Sequence, residues 1–289
     1  MAVGKNIKTY FDGAWHDGDV PIMSAADHGA WQGTTVFDGA RYIDGMAPDL
    51  RAHCDRVVQS ARALMLHPGK TGAEIFDIVW EGLQRYPRDT AVYVRPMFWG
   101  IDAGAYGIVP ATTEAGFCVC LEEVPIAPAD AAIRLASTRF HRPVMTDNVT
   151  NAKSGCLYPN NARMLAEVMA KGYDNALVRD VMGNVAESAT ANVFMVRDGV
   201  VFTPIPNGTF LNGITRQRHM KNLRADGMEV VETVLGFDDF RAADEVFLSG
   251  NLNKVTPVIE FEGTHYQHGP VTRRVRELYW DWARSDATG

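Results

Sequence analysis

The sequence predicts a mixed α/β (α+β) protein in two parts. Three observations predict it: short strand patterns occur in both halves, amphipathic stripes at helical spacing interrupt them, and a proline-rich stretch separates the halves. Residues 8–15 and 35–49 read as hairpins, with Asp12-Gly13 and Asp44-Gly45 as turn signals. From about Leu50, the apolar residues Leu50, Cys54, Val57, Ala61 and Leu64 recur at three and four residues and so make one helical stripe. Ile75, Ile78, Val79 and Leu83 give a second stripe, stopped by Pro87. Strands follow at 91–99 and 116–122.

The stretch 123–132 contains Val124-Pro-Ile-Ala-Pro128, has little pattern and follows a strand. It is read as the linker between an N-terminal α/β domain, 1–122, and a C-terminal domain, 133–289. In the second part short strands dominate, at 132–137, 175–180, 192–197, 228–234, 245–248 and 258–262. The third of these turns back through Asp198-Gly199 to a strand at 200–202. Helices are expected at 159–171, with a proline in the first turn and Gly172 at the end, and from near Ile214. A last one starts at Pro270, where Val271, Val275, Leu278 and Trp282 form a stripe. No internal repeat is visible.

Composition narrows the partners. The 289 residues are 46% hydrophobic and 22% charged, which is an ordinary globular balance. A net charge of −7 argues against a nucleic-acid partner and for small molecules. No apolar run reaches the length of a membrane span, and Met1-Ala2-Val3-Gly4-Lys5 lacks a signal-peptide core, so the cytoplasm is the expected compartment. Cys54, Cys118, Cys120 and Cys156 have no zinc-ligand spacing, and all four are expected as small buried hydrophobes.

The chemistry centres on Lys153, in Thr150-Asn-Ala-Lys-Ser-Gly155 with Tyr158 just beyond. A lysine taken alone is most often a solvated surface charge. Here two glycine-bearing loops suited to anions lie downstream, and with them Lys153 reads as a Schiff-base lysine for pyridoxal phosphate. Glu187 follows a turn and precedes an apolar strand; it is either an exposed turn acid or the carboxylate that keeps a pyridine nitrogen protonated. Leu211-Asn-Gly-Ile-Thr-Arg216 enters a helix, whose first N–H groups lack intrahelical partners and favour an anion. The plain alternative is a helix start capped by Asn212. Ser249-Gly-Asn-Leu-Asn253 is a second candidate cradle, and Arg56 is either a surface arginine or a phosphate partner.

The order Arg56, Tyr93-Val-Arg95, Lys153, Tyr158, Glu187, Gly213-Ile-Thr215 and Ser249-Gly250 resembles the class IV (fold type IV) pyridoxal phosphate enzymes, most closely the branched-chain amino acid aminotransferases. The resemblance spans nearly the whole chain. It implies a smaller N-terminal α/β domain, a larger C-terminal domain built around a β-barrel-like sheet, the cofactor between them, and a homodimer or higher homo-oligomer. It further implies Lys153 as the cofactor lysine and proton shuttle, Glu187 as the partner of the pyridine nitrogen and Tyr158 as the neighbour of the ring hydroxyl. Arg56, Ile214 and Thr215 would hold the phosphate, with Asn251 in the second cradle. Phe37, Tyr93 and Arg95 would line the substrate pocket. The substrates implied are a branched-chain L-amino acid and a 2-oxo acid such as 2-oxoglutarate.

Two departures stand out. Gln32 occupies the place of a pocket tyrosine, and Asn251-Leu252 replaces a small Thr-Ala turn that helps hold phosphate and carboxylate in the family. They leave open an (R)-selective amine or D-amino-acid aminotransferase and, more remotely, an aminodeoxychorismate-type lyase or a non-catalytic binding protein.

Overall fold

The computed structural model describes residues 4–285. The opening Met1-Ala2-Val3 lies outside them. The chain divides into two compact units, Met1–Ile126 joined by Asn151–Cys156, and Ala127–Thr150 with Leu157–Ser285. The segment that carries Lys153 therefore clusters with the first unit.

The first unit begins with a hairpin, β1 (Lys5–Phe11) and β2 (Ala14–Asp17), turned by Asp12 and Gly13, both at positive φ. A short helix α1 (His28–Gln32) precedes strands β3 (Thr35–Phe37) and β4 (Ala40–Tyr42). Helices α2 (Leu50–Ala63) and α3 (Gly72–Leu83) follow, then β5 (Val92–Trp99) and β6 (Gly116–Glu123). The expected hairpin at 35–49 is not one: β3 and β4 each pair with β5 rather than with each other. Only the Asp44-Gly45 turn survives, closed by an isolated bridge between Ile43 and Met46. The physical reason is Asp38-Gly39, which breaks the run so that two three-residue strands share one long partner.

The sheet runs β2-β1-β6-β5-β3, with β4 also on β5. Helix α2 turns the predicted stripe into the sheet, and Leu50, Cys54, Val57 and Ala61 are fully buried there with Val36, Val94, Phe98 and Leu121. Each large apolar side chain so buried contributes about 1.5–3 kcal/mol. Helix α3 is fixed at its start by a capping box between Thr71 and Glu74.

The second unit is built on a nine-stranded sheet. In chain order its elements are β7 (Ile133–Arg142), α4 (Tyr158–Met169), β8 (Asn175–Asp180), β9 (Val185–Ser188), β10 (Asn192–Arg197) and β11 (Val200–Pro204). Then come α5 (Ile214–Ala225), β12 (Val230–Thr233), α6 (Phe237–Arg241), β13 (Glu245–Gly250), β14 (Lys254–Phe261), β15 (Thr264–His265) and α7 (Pro270–Ser285). The strand order is β12-β11-β10-β13-β14-β7-β8-β9, with β15 on β14. The sheet curls, because β9 at one end lies back against β10 and Val185 N–H donates to the Leu235 carbonyl beyond β12 at the other. This curled half-barrel is the barrel-like sheet expected of the chain. No helix among the described residues is long and apolar enough to cross a membrane.

Candidate active site

In the first unit the site is assembled on α2. Beside its apolar stripe runs a polar one, His53, Arg56 and Ser60, at spacings of three and four that keep them on one face. His53 Nδ1 lies 2.7 Å from Asp38 Oδ1, and Arg56 donates to both Asp38 oxygens, through Nε at 2.6 Å and Nη2 at 2.8 Å. Asp38 is fully buried, which alone would raise its carboxyl, but the Arg56 and His53 charges more than offset that and hold it well below the usual carboxylate range. Arg56 is thereby fixed in place rather than left to wave in solvent. Ser60 Oγ accepts from the Lys153 backbone N–H at 3.1 Å, and the Lys153 carbonyl accepts from Phe37 N–H at 3.1 Å. Held at both backbone groups, Lys153 brings Nζ to 4.7 Å from the centre of the Phe37 ring.

The predicted pocket residues of this unit share one sheet face. Phe37 pairs with Met97 across β3 and β5, and Tyr93 and Arg95 alternate with the core residues Val92 and Val94, so all point away from the core side. The Arg95 guanidinium sits 5.4 Å from the Tyr93 ring centre. Gly39 must be glycine, since a Cβ there would collide with Tyr93 Oη. Gln32 ends α1 and is half-buried, before Gly33 at positive φ.

The second unit carries the remaining predicted residues, and Asn192 ties most of them together. At the first position of β10 it donates through Nδ2 to Glu187 Oε2 (3.2 Å) and to the Leu211 carbonyl (3.0 Å). Its Oδ1 accepts from Gly213 N–H at 3.2 Å, and a Cβ on Gly213 would strike that oxygen. In register, Asn192 faces Ser249 on β13. Glu187 lies within β9 and is 12% exposed, so the exposed turn acid is ruled out; its other oxygen is 3.0 Å from Arg142 Nε. Arg142, nearly buried, also donates to Asn161 Oδ1 and to the carbonyls of Ser188 and Ala189.

Gly213, not Asn212, is the N-cap of α5, and no side chain caps the helix. Asn212 accepts instead from Arg216 Nη1 at 2.9 Å, part of a fully buried arginine whose other donors reach Thr203, Pro204 and Glu232. The first-turn N–H groups, Ile214 and Thr215 among them, are left for an acceptor that the helix itself does not supply. On the second loop, buried Lys254, at φ 65°, donates through Nζ to Asn251 Oδ1. That commits the amide oxygen and turns Nδ2 the other way, where it is buried with no hydrogen-bond partner. Leu252 is half-buried in the same turn. Tyr158 opens α4 and is exposed, at 38%.

Sequence reasoning missed Asp38, His53, Ser60, Arg142 and Asn192. His53 and Ser60 are polar residues at helical spacing on α2 and Asn192 heads an apolar strand, whereas Asp38, between β3 and β4, and Arg142, at the end of β7, carry no such signal. It also placed all four cysteines inside, whereas Cys54 and Cys118 are buried, Cys120 is half-buried and Cys156 is exposed. Cys156 follows the Lys153 segment in a single 3-10 turn, Gly155–Leu157, none of whose residues is buried.

These arrangements suit a phosphate-bearing pyridine cofactor: uncapped helix donors, an oriented amide donor, an anchored arginine, and a carboxylate held by a guanidinium and an amide. Comparison with known proteins agrees. Residues 35–261 match the family described as amino-transferase class IV. A branched-chain-amino-acid aminotransferase of Salmonella typhimurium is 30% identical over 282 residues, covering 92% of this chain and 88% of its own. An aminotransferase from Brucella abortus, solved bound to the cofactor PLP, superposes with a TM-score of 0.95 at 50% identity, covering 97% of this chain and all of the other. The branched-chain amino acid aminotransferase from Escherichia coli gives a TM-score of 0.86 at 28% identity, covering 96% of this chain and 94% of the other. The chain belongs to the class IV aminotransferases and is a pyridoxal-phosphate-dependent aminotransferase.

Proposed function

We propose that the enzyme takes its amino group from a branched-chain L-amino acid and passes it to a 2-oxo acid. The donor carbon becomes a ketone, the acceptor ketone becomes an amine, and no net oxidation occurs. The observation that carries this reading is the sheet face of the first unit, where Phe37, Tyr93 and Arg95 are set out beside the Lys153 amine. An aromatic wall with a hydroxyl suits an apolar side chain joined to a carboxylate. The branched-chain names of the relatives support it.

When bound, pyridoxal phosphate supplies an electrophilic carbonyl and a ring that takes up the electron pair left by the departing α-proton. Lys153 Nζ would hold that carbonyl until the donor amine displaces it, and the freed Nζ would then take the proton from the donor α-carbon. Glu187, fixed by Arg142 and Asn192, would offer an anionic oxygen to the protonated ring nitrogen. Arg56, the N–H groups of Ile214 and Thr215, and Asn251 Nδ2 would hold the phosphate. Tyr158 would stand by the ring hydroxyl, and Gln32 and Leu252 would bound the substrate.

The assembly we propose is a homodimer, supported by a cluster of exposed apolar side chains. Trp31, Tyr106, Ile108 and Val109 lie together where the 104–110 loop meets α1, joined by His28 Nε2 at 3.1 Å from the Ile108 carbonyl. The cytoplasm is the compartment proposed, consistent with four cysteines that form no disulfide. A second reading, amine or D-amino-acid specificity, draws on Asn251 and Leu252, whose turn differs from the small hydroxyl-bearing one. Mixing holoenzyme separately with L-leucine, D-alanine and (R)-1-phenylethylamine decides between them. L-Leucine is expected to convert the cofactor spectrum to its amine form fastest; conversion by only one of the others would overturn the branched-chain reading.

A further inference from the structure

Strands β4, β5 and β6 lie side by side in a register that sets Arg41 against Tyr93 and Tyr93 against Glu122. Directly paired residues point to the same side of a sheet, so these three form a row across it. Arg95, two residues along β5, points to that side as well. The alternate residues Ala40, Tyr42, Val92, Val94 and Leu121 make the apolar core on the other side.

The two arginines of this row are in opposite electrostatic states. Arg95 donates through Nη2 to Glu122 Oε1. Glu122 is only 2% exposed, and its Oε2 accepts from Gly4 N–H at 2.6 Å, so the carboxylate is anchored from both ends. Arg41 is fully buried and donates through Nη2 to the Val124 carbonyl, while Nε and Nη1 are buried with no hydrogen-bond partner. Burial pulls Arg41 down to about 10, which still leaves it charged at neutral pH. The face therefore presents one uncompensated cation behind Tyr93 and one cation already neutralised by the chain's own acid.

Resting on the reading above, we propose that Glu122 is a specificity-determining residue that restricts the amino acceptor to 2-oxo acids bearing a single carboxylate, such as pyruvate or 2-oxoisocaproate. One carboxylate is matched by the Arg41 charge and the Tyr93 hydroxyl. A second, as in 2-oxoglutarate, meets an arginine whose charge is spent and a fixed carboxylate beside it. Rejection by a built-in like charge is a common route to specificity. The acceptor thus differs from the 2-oxoglutarate that the family resemblance implied.

The test starts from enzyme loaded directly with pyridoxamine phosphate, so that it does not depend on the donor. Return of the carbonyl form is followed with pyruvate, 2-oxoisocaproate and 2-oxoglutarate. Both single-carboxylate acids should exceed 2-oxoglutarate in kcat/KM by roughly tenfold or more. Equal or better use of 2-oxoglutarate overturns the proposal, whereas silence with every 2-oxo acid overturns the aminotransferase reading on which it rests. Glu122→Gln should shift the ratio toward 2-oxoglutarate by about tenfold, mainly through KM, and Arg95→Gln added to it should abolish the shift. A folded Glu122→Gln with an unchanged ratio also overturns it. Should that variant fail to fold, the wild-type holoenzyme still answers, by spectral titration with glutarate and valerate: valerate binding more tightly supports the proposal, and glutarate binding more tightly refutes it.

Discussion

In the first unit the site residues are tied mainly by ion pairs between side chains, whereas in the second one ion pair, Arg142 with Glu187, is joined by a set of amide and backbone hydrogen bonds. Asp38 grips Arg56 and His53, and Glu122 grips Arg95; the Lys153 segment is held through both backbone groups of that residue. In the second unit Asn192 alone joins Glu187, Leu211 and Gly213, and Lys254 sets the Asn251 amide. The first arrangement sets Lys153 in a frame of fixed charge. The second leaves donors rigid and waiting. Changes in the first should therefore strike turnover and charge balance, and changes in the second should strike the electron sink and the hold on the cofactor.

The sharpest break of that contrast is Lys153→Ala. Alanine keeps both backbone hydrogen bonds of the segment, so the thermal melt should not move, while turnover should fall by about a thousandfold or more. Next comes Asp38→Asn, which leaves a half-buried guanidinium facing a fully buried neutral amide. It should cost about 3 kcal/mol in denaturant unfolding and weaken cofactor binding measured on the apoenzyme, because Arg56 loses its anchor. Glu187→Gln should do the reverse: cofactor is retained in gel filtration, and kcat falls roughly a hundredfold as the ring nitrogen loses its anion.

Taken per pH unit, the smallest effect separates the two units. Asp38 is held below its ordinary range in the fold, so its contribution is complete above about pH 4 and is lost only as the pH falls further. His219, in the second unit, is fully buried with Nδ1 on Ser249 Oγ, and burial together with the Lys254 charge pushes it down to about 3. The unfolded chain takes up that proton near pH 6.5 and the folded one does not, so stability should decline from pH 6.5 toward 3 by about 1.4 kcal/mol per pH unit. Unfolding curves of wild type and His219→Gln check it: the variant should lose that slope, and parallel curves would mean that His219 does not titrate as described.

Much of the fold was legible because its elements announce themselves locally. The α2 stripe and strands β8 and β10 follow from spacing alone. Strand β9 was not, since four residues between turn signals carry no period, and its place in the sheet comes from pairing with β8. Strand β7 runs on to Arg142 although 137–142 are polar apart from Phe140, because parallel pairing with β8 and the buried Arg142 hold it extended. In the site, the motifs name the residues to which the chemistry is assigned, but the supports of those residues were invisible. Asp38 and Asn192 act through contacts with residues near and far along the chain, and no spacing rule reports which carboxylate a guanidinium will choose. The Glu122–Arg95 pair is the same kind of fact, fixed by neighbouring strands rather than by sequence proximity.

The central claim is that Lys153 is the cofactor lysine, and borohydride reduction of the holoenzyme followed by peptide mapping tests it most directly. The account predicts a phosphopyridoxyl mass on the peptide containing Lys153 and none elsewhere. The same mass on a peptide containing any other lysine, Lys254 included, would contradict it.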